Sequence, residues 1–141
     1  MQLAIASGRF PILCVGETEG ERKKNLRDQV IKRQLNFDLE GIVTFDKMVI
    51  AYEPIWAIGN GNICDPSDAN ERLEVLRSSV KHHFKEELTK RIRTIYGGSV
   101  DEKNVRGFLM QENIDGVLAG GASLKADVFA QMTKVQDSDK D

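Results

Sequence analysis

Four short apolar runs punctuate the chain, and each is nearly continuous rather than alternating: FPILCV (10–15), KMVIAY (47–52), IRTIY (92–96) and DGVLA (115–119). A strand wetted on one side alternates apolar and polar side chains. Unbroken runs predict strands buried on both faces, as in a parallel sheet covered by helices. Between the runs the spacing is helical. Leu26, Val30, Ile31, Gln34 and Leu35 recur on one face, with Gly41 as a stop. Ala69, Leu73, Leu76, Val80 and Phe84 form a cleaner stripe, and Asp65-Pro66 supplies its cap and first residue. Val105, Phe108 and Leu109 mark a short helix, and Val128, Phe129, Met132 and Val135 a last one. Met1 to Ser7, with Gly8 behind it, reads as the end of another. The order (α)-β-α-β-α-β-α-β-α predicts βαβ units with right-handed crossovers. No linker, repeat or low-complexity segment divides it, so residues 1–135 read as one unit and 136–141 as a polar, disordered tail.

Composition narrows the function classes. A net charge of −2 over 141 residues offers no field for nucleic acid or an anionic membrane. No apolar run approaches the roughly 18 residues of a membrane span. The start MQLAIASGRF lacks the pattern of a secretory signal. Two cysteines and two histidines, without ligand spacing, predict neither a disulfide framework nor a metal site. Cys14, inside an apolar run, predicts a reduced, buried thiol. A soluble intracellular globular chain is the expectation.

In parallel α/β folds the functional groups stand just past the carboxyl ends of the strands. Here those positions hold Gly16-Glu17-Thr18, Glu53-Pro54-Ile55-Trp56, Gly97-Gly98-Ser99 and Gly120-Gly121-Ala122-Ser123. The two glycine pairs let backbone N–H groups turn toward an anion, and Ser99 and Ser123 add hydroxyls. Two such pairs after consecutive strands favour a phosphate cradle over two idle turns. Glu53 ends an apolar strand. Pro54 restricts it to an extended conformation and so fixes where its carboxylate points. A carboxylate held this way is a candidate general base, the plain alternative being a solvated loop acid. Beyond Trp56, Gly59 and Gly61 allow a lid whose tip is Ala57 to Gly61, on a Pro-Ile-Trp hinge. His82 and His83 read as solvated residues near a helix C-terminus, and Glu21-Arg22-Lys23-Lys24 as a solvated helix start. Arg77 and Asp115 suit structural ion pairs, and Cys64 suits packing.

The blocks CVGET (14–18), AYEPIWAIGNG (51–61), YGGSV (96–100) and DGVLAGGASL (115–124), at their mutual spacing, resemble the triosephosphate isomerase family across about residues 1–135. The resemblance implies a (β/α)8 TIM barrel, of which this chain carries the last four βα units, a half-barrel. It implies that Glu53 is the catalytic base and that Pro54, Ile55 and Trp56 form the lid hinge. Gly59, Ser99, Gly120 and Gly121 become the phosphate contacts, and Tyr96 the phenol that holds the closed lid. Glu17 becomes the carboxylate that receives the Trp56 indole when the lid shuts, and Tyr52 its partner when open. It implies a triose phosphate substrate, no cofactor, no nucleic-acid or membrane partner, a cytoplasmic location and a homodimeric full-length enzyme.

The chain departs from the family pattern in two places. The second lid hinge, Asn62-Ile63-Cys64, lacks the lysine and small residues expected there. The lysine after the family's first strand and the histidine after its fourth have no counterpart. The expectation is therefore a C-terminal half, inactive alone, that either self-associates or needs an N-terminal half. The alternatives are a non-catalytic phosphate-binding or assembly module, and another phosphate-binding (β/α) barrel. The AYEPIWAIG block argues against the latter.

Overall fold

The computed structural model of the protein describes residues 1–59 and 61–135. The polar tail at 136–141 lies outside them. Four strands, β1 (Ile12–Val15), β2 (Met48–Tyr52), β3 (Ile92–Tyr96) and β4 (Gly116–Val117), form one parallel sheet in sequence order. The register places Cys14 beside Ala51, Tyr52 beside Tyr96, and Tyr96 beside Val117. Parallel neighbours in sequence order need a crossover each, and helices supply them: α1 (Gln2–Ala6) leads in, followed by α2 (Glu19–Lys23), α3 (Arg27–Asp38), α4 (Pro66–His83), α5 (Glu86–Thr89), α6 (Val105–Leu109) and α7 (Ala126–Met132).

The expected helices form where the spacing placed them, and two short ones, α2 and α5, join them. α4 begins as its sequence dictates: the Asp65 carboxylate accepts from the Ser67 N–H (2.8 Å), and Pro66 takes the first turn. The helix start read at 21–24 falls a little earlier, at Glu19 of α2. Thr18 and Glu21 close a capping box, with the Glu21 carboxylate 2.9 Å from the Thr18 N–H. Arg77 and Asp115 pair with each other at 2.6 Å, and Asp115 also accepts from the Thr94 N–H at 2.7 Å. One carboxylate thus joins α4, β3 and the approach to β4.

The sheet is covered on one face, not two. Leu13, Val15, Met48, Ile50, Tyr52, Ile92, Thr94 and Tyr96 share the face that packs on the helices, and all are buried. Their helix partners include Val30, Ile31 and Leu35 of α3 and Leu73, Leu76 and Val80 of α4. On the opposite face Ile12, Cys14 and Arg93 are exposed, Val49 and Ile95 are half-buried, and the small side chain of Ala51, between Cys14 and Ile95, is buried. The runs are apolar throughout because both faces carry apolar side chains, but helices occupy only one. In a closed barrel the other face packs against the opposite strands; four strands do not close. For the same reason the predicted buried state of Cys14 is corrected to exposed. β4 is also shorter than the run that predicted it. It has one neighbour, and the chain bends into the Gly120–Gly121 turn soon after Leu118 donates to the Tyr96 carbonyl (2.8 Å).

Candidate active site

The end of β2 is laced to its neighbours through the backbone. Glu53 N–H donates to the Val15 carbonyl (2.7 Å), Ile55 N–H to Glu17 (3.0 Å) and Gly97 N–H to Tyr52 (2.8 Å). Pro54 is extended, with φ −62° and ψ 110°. Residues Ile55–Ala57 then close a 3-10 turn with Trp56 and Ala57 buried, so the segment read as a hinge is itself a tight turn. Glu53 is half-buried where these constraints meet. Its neighbours leave no slack. A Cβ on Gly97 would lie 2.6 Å from Glu53 Cγ and 3.0 Å from its Oε1, and a Cβ on Gly16 would collide with the Glu53 carbonyl. Gln34 fixes Gly16 in turn, accepting from its N–H (2.9 Å) and donating to its carbonyl (3.1 Å). The Cys14 thiol stands beside the carboxylate. Partial burial first, and then Glu53, push it up to about 11.

Behind Glu53 a second cluster holds the tryptophan. Glu17 is fully buried. Its carboxylate accepts from Trp56 Nε1 at 2.8 Å and from the Tyr52 hydroxyl at 3.1 Å. Burial, followed by the Glu17 charge, drives the Tyr52 phenol far above its ordinary pKa, so it stays a donor. Arg22 of α2, read from sequence as solvated, lies over the Trp56 ring, 3.7 Å from its centroid.

The rest of the cover is tied from both sides. Ser99 donates twice to the Ala57 carbonyl, from N–H (2.8 Å) and Oγ (2.7 Å). Asn62 Nδ2 donates to the Trp56 carbonyl (3.2 Å), so a residue that departs from the family pattern is tied to the 3-10 turn. Cys64 is buried and its thiol is pushed up to about 12, mainly by burial and then by Asp68, as suits packing. Tyr96 stacks on Phe108 at 4.1 Å. Its buried hydroxyl lies near the Cys64 amide, and among the described residues no group completes a hydrogen bond of good geometry with it. The exposed tip keeps Gly59 at φ +67° and Gly61 at φ +78°, a region other residues enter at a cost.

The two glycine pairs differ. Gly97 and Gly98 make room, the first for Glu53 and the second for the Tyr96 hydroxyl, which a Cβ would strike. Gly120 and Gly121 are exposed, with nothing within 4 Å of an added Cβ, and Ser123 donates from N–H (3.0 Å) and Oγ (2.8 Å) to the Gly120 carbonyl. Glu17, Tyr52, Glu53, Pro54, Ile55, Trp56, Tyr96 and Ser99 thus form one connected cluster, while Gly59, Gly120 and Gly121 stand at its open margins. Sequence reasoning missed Arg22, Gln34 and the steric duty of Gly16 and Gly97. For the two glycines the signal was nearness to a strand end; Arg22 within α2 and Gln34 within α3 carried none. Among the described residues no group of His, Cys, Asp and Glu is arranged to hold a metal ion, and no helix is long and apolar enough to cross a membrane.

Four parallel strands in sequence order, with helices in the crossovers and Glu53 half-buried just past the end of β2, define the class: part of a (β/α) barrel. A sequence model of the family described as Triosephosphate isomerase matches residues 1–136, and the chain belongs to that family, with the architecture of half its barrel. Triosephosphate isomerase of Symbiobacterium thermophilum is 45% identical over 132 residues, which cover 92% of this chain and 52% of that protein. The Alkaliphilus metalliredigens enzyme is 44% identical, covering 89% of this chain and 52% of the relative. For Dictyoglomus thermophilum the values are 43%, 90% and 52%. The chain spans about half the length of the curated relatives it matches.

Proposed function

We propose that this chain carries the base-and-lid half of a triosephosphate isomerase, which interconverts dihydroxyacetone phosphate and glyceraldehyde 3-phosphate in glycolysis and gluconeogenesis. Glu53 takes a proton from the carbon beside the carbonyl. The electron pair left behind forms an enediol(ate), and the same carboxyl returns the proton to the neighbouring carbon, so nothing is oxidised or lost overall. Backbone N–H groups of Gly59, Gly120 and Gly121 hold the phosphate, joined by Ser99 once its hydroxyl exchanges the Ala57 carbonyl for a phosphate oxygen. Pro54, Ile55 and Trp56 hinge the lid and Tyr96 holds it closed. Trp56 on Glu17, with Tyr52 on the same carboxylate, supports reading this as the shut arrangement. A shut lid keeps water from the enediol(ate), which otherwise expels phosphate. The family relation also carries a cytoplasmic location and a homodimeric assembly into this reading.

The observation that carries the proposal is the aim of Glu53, fixed by Pro54 behind it, the Val15 carbonyl on its N–H and Gly97 against its side chain. The lysine and histidine that would stabilise the developing oxyanion have no counterpart in these 141 residues. Each such group is commonly worth about 3 kcal/mol, so the chain alone has no appreciable turnover. The test mixes the chain with residues of a relative's N-terminal half and follows dihydroxyacetone phosphate conversion, with sedimentation in parallel. Turnover that needs both halves and disappears with Glu53→Gln is expected. A folded, rejoined barrel that binds sulfate but never turns over would favour a binding-only half-barrel instead.

A further inference from the structure

The Trp56 ring is buried in the core, and two polar handles reach it. Its indole N–H donates to Glu17 at 2.8 Å, which fixes one point on the ring edge. The Arg22 guanidinium, 3.7 Å from the ring centroid, covers the ring face. Arg22 comes from the short helix α2, whose start is locked by the Thr18–Glu21 capping box, and its own N–H donates to the Thr18 carbonyl (2.9 Å). Glu19 steadies the guanidinium from the same helix at 3.6 Å. The loop that supplies the Glu17 carboxylate therefore also supplies the cation above the ring, and both handles belong to one rigid piece. A planar, delocalised cation suits this position better than a compact ammonium.

We propose that Arg22 is a positioning residue of the lid hinge: by stacking on Trp56 it holds the indole on Glu17 and sets how much of the time the hinge stays docked. This rests on the reading of the Trp56 segment as a hinge, but its test needs no catalysis. Trp56 is the chain's single tryptophan, so intrinsic fluorescence reports on that ring alone. Acrylamide quenching of the full chain is compared for the parent, Arg22→Met and Arg22→Lys, with circular dichroism to verify folding. Methionine keeps an apolar cover over the ring and removes the charge; lysine keeps the charge and loses the plane. Arg22→Met raises the quenchable, undocked population about two- to fivefold, the range expected for losing one partly exposed cation–π contact. Arg22→Lys restores part of the difference. Quenching of a folded Arg22→Met chain equal to that of the parent overturns the proposal, because cover alone would then suffice. If Arg22→Met does not fold, Arg22→Lys decides: quenching identical to the parent overturns the stacking role, and quenching above the parent's in a folded chain supports it. Absence of turnover in the rejoined parent barrel would defeat the catalytic reading while leaving the quenching result standing.

Discussion

At the end of β2 and β3, a Cβ added to Gly97 would lie 2.6 Å from Glu53 Cγ; at the end of β4, a Cβ added to Gly120 or Gly121 meets nothing within 4 Å. The same dipeptide serves opposite needs. On the proposed reading Glu53 must point at one carbon of a small substrate, and its surroundings leave it a single place to go. On the same reading the amides of Gly120 and Gly121 must receive an anion and have to stay uncovered. The crowded end is bound by proline, by backbone bonds to β1 and β3, and by a buried carboxylate behind it; the open end is a 3-10 turn tied back through Ser123. Precision here comes from neighbours, and access from their absence.

The comparison breaks most sharply at Glu53. In a rejoined barrel Glu53→Asp draws the carboxylate back by about 1 Å, a misplacement that costs on the order of a hundredfold in turnover. Equal turnover by the Asp variant would mean that the crowding aims nothing. Gly97→Ala comes next. The added methyl forces Glu53 aside by less than that, and turnover falls about tenfold, with KM for the triose phosphate changing much less. A loss seen in KM alone would move Gly97 from the crowded class to the open one.

Cys64 tests whether the packing behind the lid matters to stability. Its thiol is raised from 9.0 to about 12 in the folded chain, so the folded state holds the proton more tightly. That contribution is fully present below about pH 9 and is lost as pH rises from there toward 12. The unfolding free energy from urea titrations should therefore fall further between about pH 8 and pH 10.5 for the parent than for Cys64→Val, by about 2 kcal/mol. Parallel slopes would show that the thiol is not confined. Gly121→Ala is the mildest change. Stability stays within about 0.5 kcal/mol of the parent, and phosphate or sulfate affinity in the rejoined barrel falls a few-fold. Unchanged affinity in a folded variant would return the second glycine pair to an ordinary turn.

The contrast between the two ends also marks what the sequence could disclose. Strand cores, the start of α4 and the candidacy of Glu53 were legible because each depends on neighbours in the chain: an apolar run, Asp65 before Pro66, Pro54 after Glu53. The two glycine pairs looked alike because their difference lies in what a third residue, on another strand, places against them. Arg22 looked solvated for the same reason: its partner is Trp56, across a strand and a turn. Cys14 looked buried because an apolar run does not say which of its faces the helices will cover. The short helices α2 and α5 have too few residues to show a period.

Asp115 bears on the order in which the sheet comes apart. β4 contributes just Gly116 and Val117 to the ladder, so its attachment leans on flanking bonds: Asp115 N–H to the Thr94 carbonyl (2.8 Å), the Asp115 carboxylate to the Thr94 N–H (2.7 Å), and Arg77 at 2.6 Å from the helix side. In hydrogen-exchange experiments the amides of β2 should outlast those of Gly116 to Leu118 by a wide margin, since the former sit between two strands and the latter beside one. Adding enough salt to weaken Arg77's hold would release β4 as a separate opening event while the first three strands remain closed. The turn at Gly120 and Gly121 would then come and go on its own clock, uncoupled from Glu53.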